Sequence, residues 1–101
     1  MVTLTSSSNS VAIDASLGNN WYHLLTENTT LAEPSNMEAG AIYVLHLVQD
    51  ATAAKTLAFN AAFLLAGGAF TITAATDAVD MLVFYCDGTN MLEISRAQNL
   101  S

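Results

Sequence analysis

The chain has 101 residues, 52% of them hydrophobic and only 11% charged, so it can build one compact core but not two. Its two basic residues, Lys55 and Arg96, face nine carboxylates, and the formal net charge is −7. Binding to nucleic acid or to anionic lipid needs clustered basic side chains, so this balance argues strongly against both partners. A shortage of charge on so small a domain also favours an oligomer that covers part of its apolar surface.

The first ten residues include the polar run TLTSSSNS, which we expect to form an N-terminal arm or an edge strand. A single domain is expected over residues 11–101. Turn signals such as Gly-Asn-Asn and Gly-Gly separate short apolar or alternating segments at roughly ten-residue spacing. The predicted strands cover residues 11–14, 20–26, 41–50, 56–60, 69–73, 81–86 and 91–95. This pattern predicts an all-β fold, an antiparallel β-sandwich or jelly roll of about eight short strands.

Two of these segments are apolar on both alternating faces. Residues 41–50 read AIYVLHLVQD, and residues 81–86 read MLVFYC. A strand with one solvated face should alternate apolar and polar residues, whereas these two require cover on each side. One side can pack into the core of the chain. The other side needs a second layer or a neighbouring subunit.

The connections between segments also carry signals. Asp87-Gly88 between two apolar runs predicts a tight β-hairpin, because both residue types tolerate positive φ. Residues 53–66 have apolar side chains at helical spacing, but the following Gly-Gly and the β-branched and aromatic neighbours favour strands. A short helix or turn is expected near residues 35–40.

The residue types needed for catalysis or metal binding do not converge in the sequence. His23 and His46 lie within strand-like alternation, where a structural histidine is the usual explanation, and no spacing typical of a metal site accompanies them. Cys86 is the only cysteine and lies in an apolar run, which indicates a small buried hydrophobe. Asp77 and Asp87 fit turns and Asp80 fits a strand start. We therefore predict no enzyme activity, cofactor or metal.

Targeting and membrane segments are not predicted either. The N-terminus has neither the basic start nor the apolar stretch of a signal peptide. The uncharged stretch of residues 56–76 is interrupted by Thr, Asn and Gly and has no basic flank after it, so we do not expect it to span a membrane. A membrane-acting lysis protein is the third and weakest functional alternative, resting on that stretch.

A larger pattern resembles a known family. The segments NTTLAEPSN, YVLHLVQDAT, KTLAF and AVDMLVFYCDGTN, taken in this order, resemble a small β-domain of bacteriophage virion proteins, found in tail-fibre-like and head-associated polypeptides. The resemblance runs from about Asn20 to Leu100. Phe59 stands where the pattern often has Trp, Met91 stands where an aromatic residue is common, and Ala53-Ala54 replaces a Gly-Ser turn. These departures leave the docking partner open.

The resemblance implies a non-enzymatic, trimeric module. Because the chain is little more than this one domain, the resemblance favours a capsid decoration (cement) protein. Such a protein would lie on the outer surface of the virion head, bound to the major capsid protein. The alternative is a tail-fibre tip or host-receptor-binding adhesin, in which Trp21 and Tyr22 would meet a glycan. The expected trimer contacts are Tyr43, Leu45, Leu47, Met81, Val83 and Tyr85. The expected capsid contacts are Val2, Leu4, Gly18, Asn19, Gly67 and Gly68.

Overall fold

The structure is a computed structural model that describes residues 1–100, and it is all-β. The only helical segments in that range are two short 3-10 turns, Ala15–Leu17 and Ala66–Gly68. No helix among the described residues has the length and apolar character to cross a membrane. The ten strands of residues 1–100 are β1 (Val2–Thr3), β2 (Ser6–Ser7), β3 (Ser10–Val11), β4 (Asn20–Leu25), β5 (Thr29–Leu31), β6 (Ile42–Gln49), β7 (Leu57–Phe59), β8 (Phe63–Leu64), β9 (Val79–Cys86) and β10 (Met91–Ala97).

The strands form two mixed sheets. The larger sheet has six strands in the order β1-β4-β6-β9-β10-β8, and the smaller has four in the order β2-β3-β5-β7. Over residues 1–100, five of the eight strand pairings are parallel: β1 with β4, β4 with β6, β8 with β10, β3 with β5 and β5 with β7. The all-β class is as expected. The expectation of antiparallel sheets is wrong for these pairings.

The parallel pairings follow from the path of the chain. From β3 to β7 consecutive strands alternate between the two sheets, so the chain winds around the core, and we call one full turn of this path a coil. Neighbouring strands within a sheet are separated by one coil and therefore run in the same direction. Trp21 of β4 lies beside Leu45 of β6, and Val11, Leu31 and Phe59 line up across β3, β5 and β7. The arrangement is solenoid-like. Short connections from sheet to sheet thus replace the hairpins that an antiparallel sandwich or jelly roll would use.

A single core lies between the sheets. In the larger sheet alternate residues point inward, and Val11 and Leu31 of the smaller sheet pack in the same cluster. Phe63 and Phe84 meet edge to face, with ring centroids 5.3 Å apart. Full burial of a large apolar side chain contributes about 1.5–3 kcal/mol. The largest side chains with almost no exposed surface are Trp21, Phe84, Leu25, Leu31, Leu45, Leu47, Leu82 and Met91.

Most of the predicted strands are present, and two are not as expected. Residues 20–26, 41–50 and 56–60 contain β4, β6 and β7, and residues 81–86 and 91–95 form most of β9 and β10. Residues 53–66 form no α-helix and contain β7 and β8, and residues 35–40 end in a turn. Of residues 11–14 only Val11 belongs to a strand, and Asp14 forms an isolated bridge with Ser35.

Residues 69–73 are not a strand, because their backbone hydrogen-bonds to side chains instead of to a neighbouring strand. The carbonyl oxygens of Thr71 and Thr73 accept hydrogen bonds from the amides of Gln98 and Gln49, and the Thr73 N–H donates to Asp80. Side chains thus satisfy three of the backbone polar groups in this segment.

The predicted hairpin joins β9 and β10. Met91 pairs with Cys86, so four residues form the loop. Within it the Asp87 carboxylate accepts from the backbone N–H groups of Thr89 and Asn90, at 2.9 and 2.7 Å, and Gly88 has φ of 96°. Farther along, a β-bulge between Glu93 and Ser95 shifts the register.

The N-terminal segment is an edge strand. β1 pairs in parallel with β4, and the Leu4 N–H donates to the Tyr22 carbonyl at 2.7 Å. The Leu4 side chain lies in the core. Of the two forms expected for residues 1–10, the structure shows the edge strand, followed by β2 and the start of β3.

Candidate interaction surface

One side of the larger sheet has no second layer from residues 1–100 packed on it, and we call it the outer face. It is defined by the alternate residues of the four long strands that point away from the core and share rows across the sheet. These residues are Asn20, Tyr22, Leu24, Ile42, Val44, His46, Val48, Val79, Met81, Val83, Tyr85, Leu92, Ser95 and Ala97.

The outer face carries no Asp, Glu, Lys or Arg side chain among the strand residues described, although the chain has a net charge of −7. The long strands contain three such residues, Asp80, Glu93 and Arg96. Each pairs with a core residue of the neighbouring strand and so belongs to the opposite side of the sheet. The remaining charged residues lie outside these strands.

The apolar side chains of the outer face reach solvent. Exposure alternates along β6 and β9, and Ile42 and Tyr85 retain 41% and 42% of their surface. Four strands at about 4.8 Å spacing and up to eight residues at about 3.3 Å each give a face of about 19 by 25 Å, or roughly 475 Å². This footprint includes a few polar side chains, and exposed apolar patches of a few hundred Å² often mark interaction sites.

The structure divides the six expected trimer contacts between the two sides of the sheet. Met81, Val83 and Tyr85 lie on the outer face. Tyr43, Leu45 and Leu47 do not: they point into the core, and none retains more than 2% of its surface. A side chain with no accessible surface cannot contact a second subunit. The expectation for Tyr43, Leu45 and Leu47 is therefore wrong.

The expected capsid contacts do not form one surface. Val2, Leu4, Gly18 and Asn19 lie at the β1 edge of the larger sheet, where a Cβ on Gly18 would come within 2.9 Å of Val2 Cγ2.

Gly67 and Gly68 lie beside the opposite edge, near β8 and β10. Leu4 is buried, so its expected role as a capsid contact is wrong. The other five residues remain predictions, divided between two separate edges.

The aromatic pair expected to face a glycan is also divided. Trp21 is 1% exposed, stacks on Tyr43 with centroids 4.8 Å apart, and donates its indole N–H to the Gly18 carbonyl at 3.0 Å. Only Tyr22 lies on the outer face, in edge contact with His46 at 5.1 Å. Burial of Trp21 removes it as a glycan contact.

Asp80 and Gln49 are buried polar residues that tie loops to the larger sheet. The Asp80 carboxylate accepts hydrogen bonds from Thr73, Gln98 and Asn99. Desolvation raises the pKa of this carboxyl, but the hydrogen bonds together lower the pKa by more than desolvation raises it. The pKa of Asp80 is therefore below its ordinary value. Gln49 donates to the carbonyls of Lys55 and Thr73 and accepts from the Lys55 N–H. Both side chains therefore have structural roles.

The two histidines occupy different environments. His23 is 1% exposed on the inner side of β4, with Nδ1 3.4 Å from the Leu4 carbonyl oxygen, and its Nε2 has no hydrogen-bond partner in residues 1–100. Desolvation lowers the pKa of this imidazole, opposed by the Leu4 carbonyl and by Glu27. His46 is half-buried on the outer face. The two imidazoles lie on opposite sides of the sheet.

Cys86 is fully buried, as predicted. No group of three or more His, Cys, Asp or Glu side chains within residues 1–100 could hold a metal ion. The outer face is therefore the feature of this structure that calls for a functional explanation. No protein-family model, curated protein or solved structure matches this chain.

Proposed function

We propose that this chain is a bacteriophage virion structural protein: a homotrimeric capsid decoration (cement) protein that binds the major capsid protein on the outside of the head and stabilises the shell. The observation that carries the proposal is the uncharged, solvent-exposed outer face of the larger sheet. The resemblance of residues 20–100 to a β-domain of phage virion proteins supplies the biological setting.

A further copy of the same chain is the occupant that best fits the outer face. Every chain carries a net charge of −7, and the outer face offers a surface over which two copies can approach without bringing carboxylates together. Three faces of roughly 475 Å² that meet around a trimer axis would bury at most about 1,425 Å² in total, or about 475 Å² for each pair of chains, against a lower limit of about 1,000 Å² for a specific interface. In a trimer, contacts between sheet edges would add to this area.

Trimers of this kind would suit a shell-stabilising role. Three copies carry a formal charge of −21, which favours solubility and opposes nonspecific adsorption. A protein that binds the assembled shell but not its dissociated subunits stabilises the shell by mass action. Many copies with modest individual affinity would together make a large contribution.

Oligomeric state gives the first test. Analytical ultracentrifugation at about 10 μM and pH 7.5 should give the mass of three chains. Val83→Glu places a carboxylate in the middle of the outer face and should give monomers. The matched control is Thr30→Glu, at an exposed position on the smaller sheet, which should remain trimeric. A monomeric wild type, or equal behaviour of the two variants, would contradict the proposed interface.

Binding to shells gives the second test. Purified phage head shells without decoration protein are mixed with the chain, pelleted and imaged by cryo-electron microscopy. We expect three-lobed density on the outer surface and a higher shell melting temperature. Shells that remain bare and melt unchanged would refute the decoration role, even if the chain is trimeric. Density along the tail in intact virions would favour the adhesin alternative, which has lost the support of Trp21.

A further inference from the structure

His46 lies near the middle of the outer face. It belongs to β6, which with β9 forms the centre of the six-stranded sheet, and its row runs from Tyr22 through His46 and Met81 to Ala97. Along its own strand the neighbours on the same face are Val44 and Val48. His46 is therefore surrounded by side chains without formal charge.

The ionisable neighbours of His46 on this face are few. The strand on one side presents Tyr22, whose ring meets the imidazole edge to face at 5.1 Å with an interplanar angle of 88°. The strand on the other side presents Met81. None of the outer-face residues defined above is a carboxylate that could pair with an imidazolium. If further copies cover this face, they bring the same uncharged side chains.

We propose that protonation of His46 separates the copies joined through the outer face, so that the assembly is stable at neutral pH and dissociates in mild acid. This inference rests on the proposed function, because it requires the outer face to be the trimer contact. The central position of His46 is what matters: the middle of each sheet face becomes the most completely covered region when flat faces meet around a common axis.

The physical reason is the free energy of an unpaired charge. An imidazolium in a free chain keeps part of its hydration, since His46 is half-buried rather than fully buried. Covering the outer face would remove that water and supply no carboxylate in exchange, which is unfavourable. Histidine changes charge between about pH 5 and 8. If the assembly requires three neutral imidazoles, its association constant can fall by up to about 1,000-fold for each pH unit of acidification.

Sedimentation at pH 7.5 and pH 5.5, at equal protein concentration and ionic strength, tests the inference. We expect wild type to be trimeric at pH 7.5 and monomeric at pH 5.5. His46→Phe keeps an aromatic ring beside Tyr22 without a titrating group and should be trimeric at both pH values. His46→Lys carries a charge at both and should be monomeric at both. Thr30→Lys adds the same charge to the smaller sheet and should follow wild type.

Trp21 fluorescence and sedimentation together distinguish loss of the fold from loss of the trimer contact. The fluorescence of buried Trp21 reports whether the fold survives at pH 5.5, which matters because His23 also titrates. A wild type that stays trimeric at pH 5.5, or a His46→Phe variant that dissociates with the wild-type midpoint, would overturn the inference and leave the trimer intact. A wild type that is already monomeric at pH 7.5 would overturn the proposed interface and this inference with it.

Discussion

Replacing Asp80 by Asn should destabilise the fold far more than its small size suggests. Asp80 has 1% of its surface exposed, and each of its carboxylate oxygens accepts two hydrogen bonds. Oδ1 accepts from Thr73 Oγ1 at 2.8 Å and from the Asn99 N–H at 2.9 Å. Oδ2 accepts from the Thr73 N–H at 2.7 Å and from Gln98 Nε2 at 3.2 Å. An amide keeps one acceptor oxygen and turns an NH₂ group toward the other two donors.

The expected magnitude follows from those contacts. Hydrogen bonds to a charged group contribute about 1.5–3 kcal/mol each, so the loss of two should lower the free energy of unfolding by at least about 3 kcal/mol. For a domain of about 100 residues a loss of about 3 kcal/mol lowers Tm by roughly 12–24 °C. Because the native pKa of Asp80 lies below its ordinary value, its contribution is present above the unfolded pKa, near 4, and disappears as the pH falls through the native pKa.

Thermal unfolding followed by circular dichroism measures the effect, at one protein concentration and at pH 7, 4 and 2. Asp77→Asn is the matched control: it makes the same chemical change three residues away, at an exposed position with φ of 61° that Asn tolerates. We expect Asp77→Asn to stay within about 0.5 kcal/mol of wild type. The difference between Asp80→Asn and wild type should shrink toward pH 2. Equal Tm values for the two variants at pH 7 would refute the reasoning.

Three further predictions concern the loops and the β1 edge. Gln49→Glu removes both donations to the Lys55 and Thr73 carbonyls and should lower the free energy of unfolding by about 2–4 kcal/mol, measured in urea. An unchanged unfolding midpoint would contradict a stabilising role for these two hydrogen bonds. Gly18→Ala forces a methyl group against Val2 and should cost about 1–3 kcal/mol, with faster hydrogen exchange at the Leu4 N–H; unchanged exchange there would contradict the contact. His23 has a lowered native pKa, so the unfolded chain binds the proton first, and stability should fall as the pH drops below about 6.5. His23→Met should weaken this dependence, and an undiminished slope would argue against His23 as its source.

The sequence was sufficient to locate the long strands of the larger sheet. Alternation in residues 41–50 and the apolar run of residues 81–86 predicted β6 and β9, and Asp87-Gly88 predicted the hairpin that follows. These signals are local, because side-chain period and turn chemistry depend on neighbours in the chain. The requirement for cover on both sides of these strands was also a local inference. The structure leaves the outer sides of both strands partly open to solvent.

Strand direction and the choice of inner face were beyond those signals. Side chains alternate with a period of two in parallel and antiparallel strands alike. The sequence pattern therefore could not predict the coiled path from β3 to β7. In β6 the two sets of alternate residues are almost equally apolar. One set contains a single polar residue, His46, and the other contains Gln49 and the tyrosine Tyr43. The set with Gln49 faces the core, where its amide donates to the carbonyl of Lys55, which follows soon after β6, and to that of Thr73, 24 residues away. Only the folded chain reveals that partnership.

The coiled path from β3 to β7 has a kinetic consequence. Each parallel neighbour lies about one coil away in the chain, so Val11 must meet Leu31, and Leu31 must meet Phe59, across long segments that are still unstructured. Contacts of this kind slow the search for the native state, typically to milliseconds or seconds. The four-residue loop between β9 and β10 closes much sooner. Refolding should therefore begin at this hairpin, with the coils winding onto it afterwards.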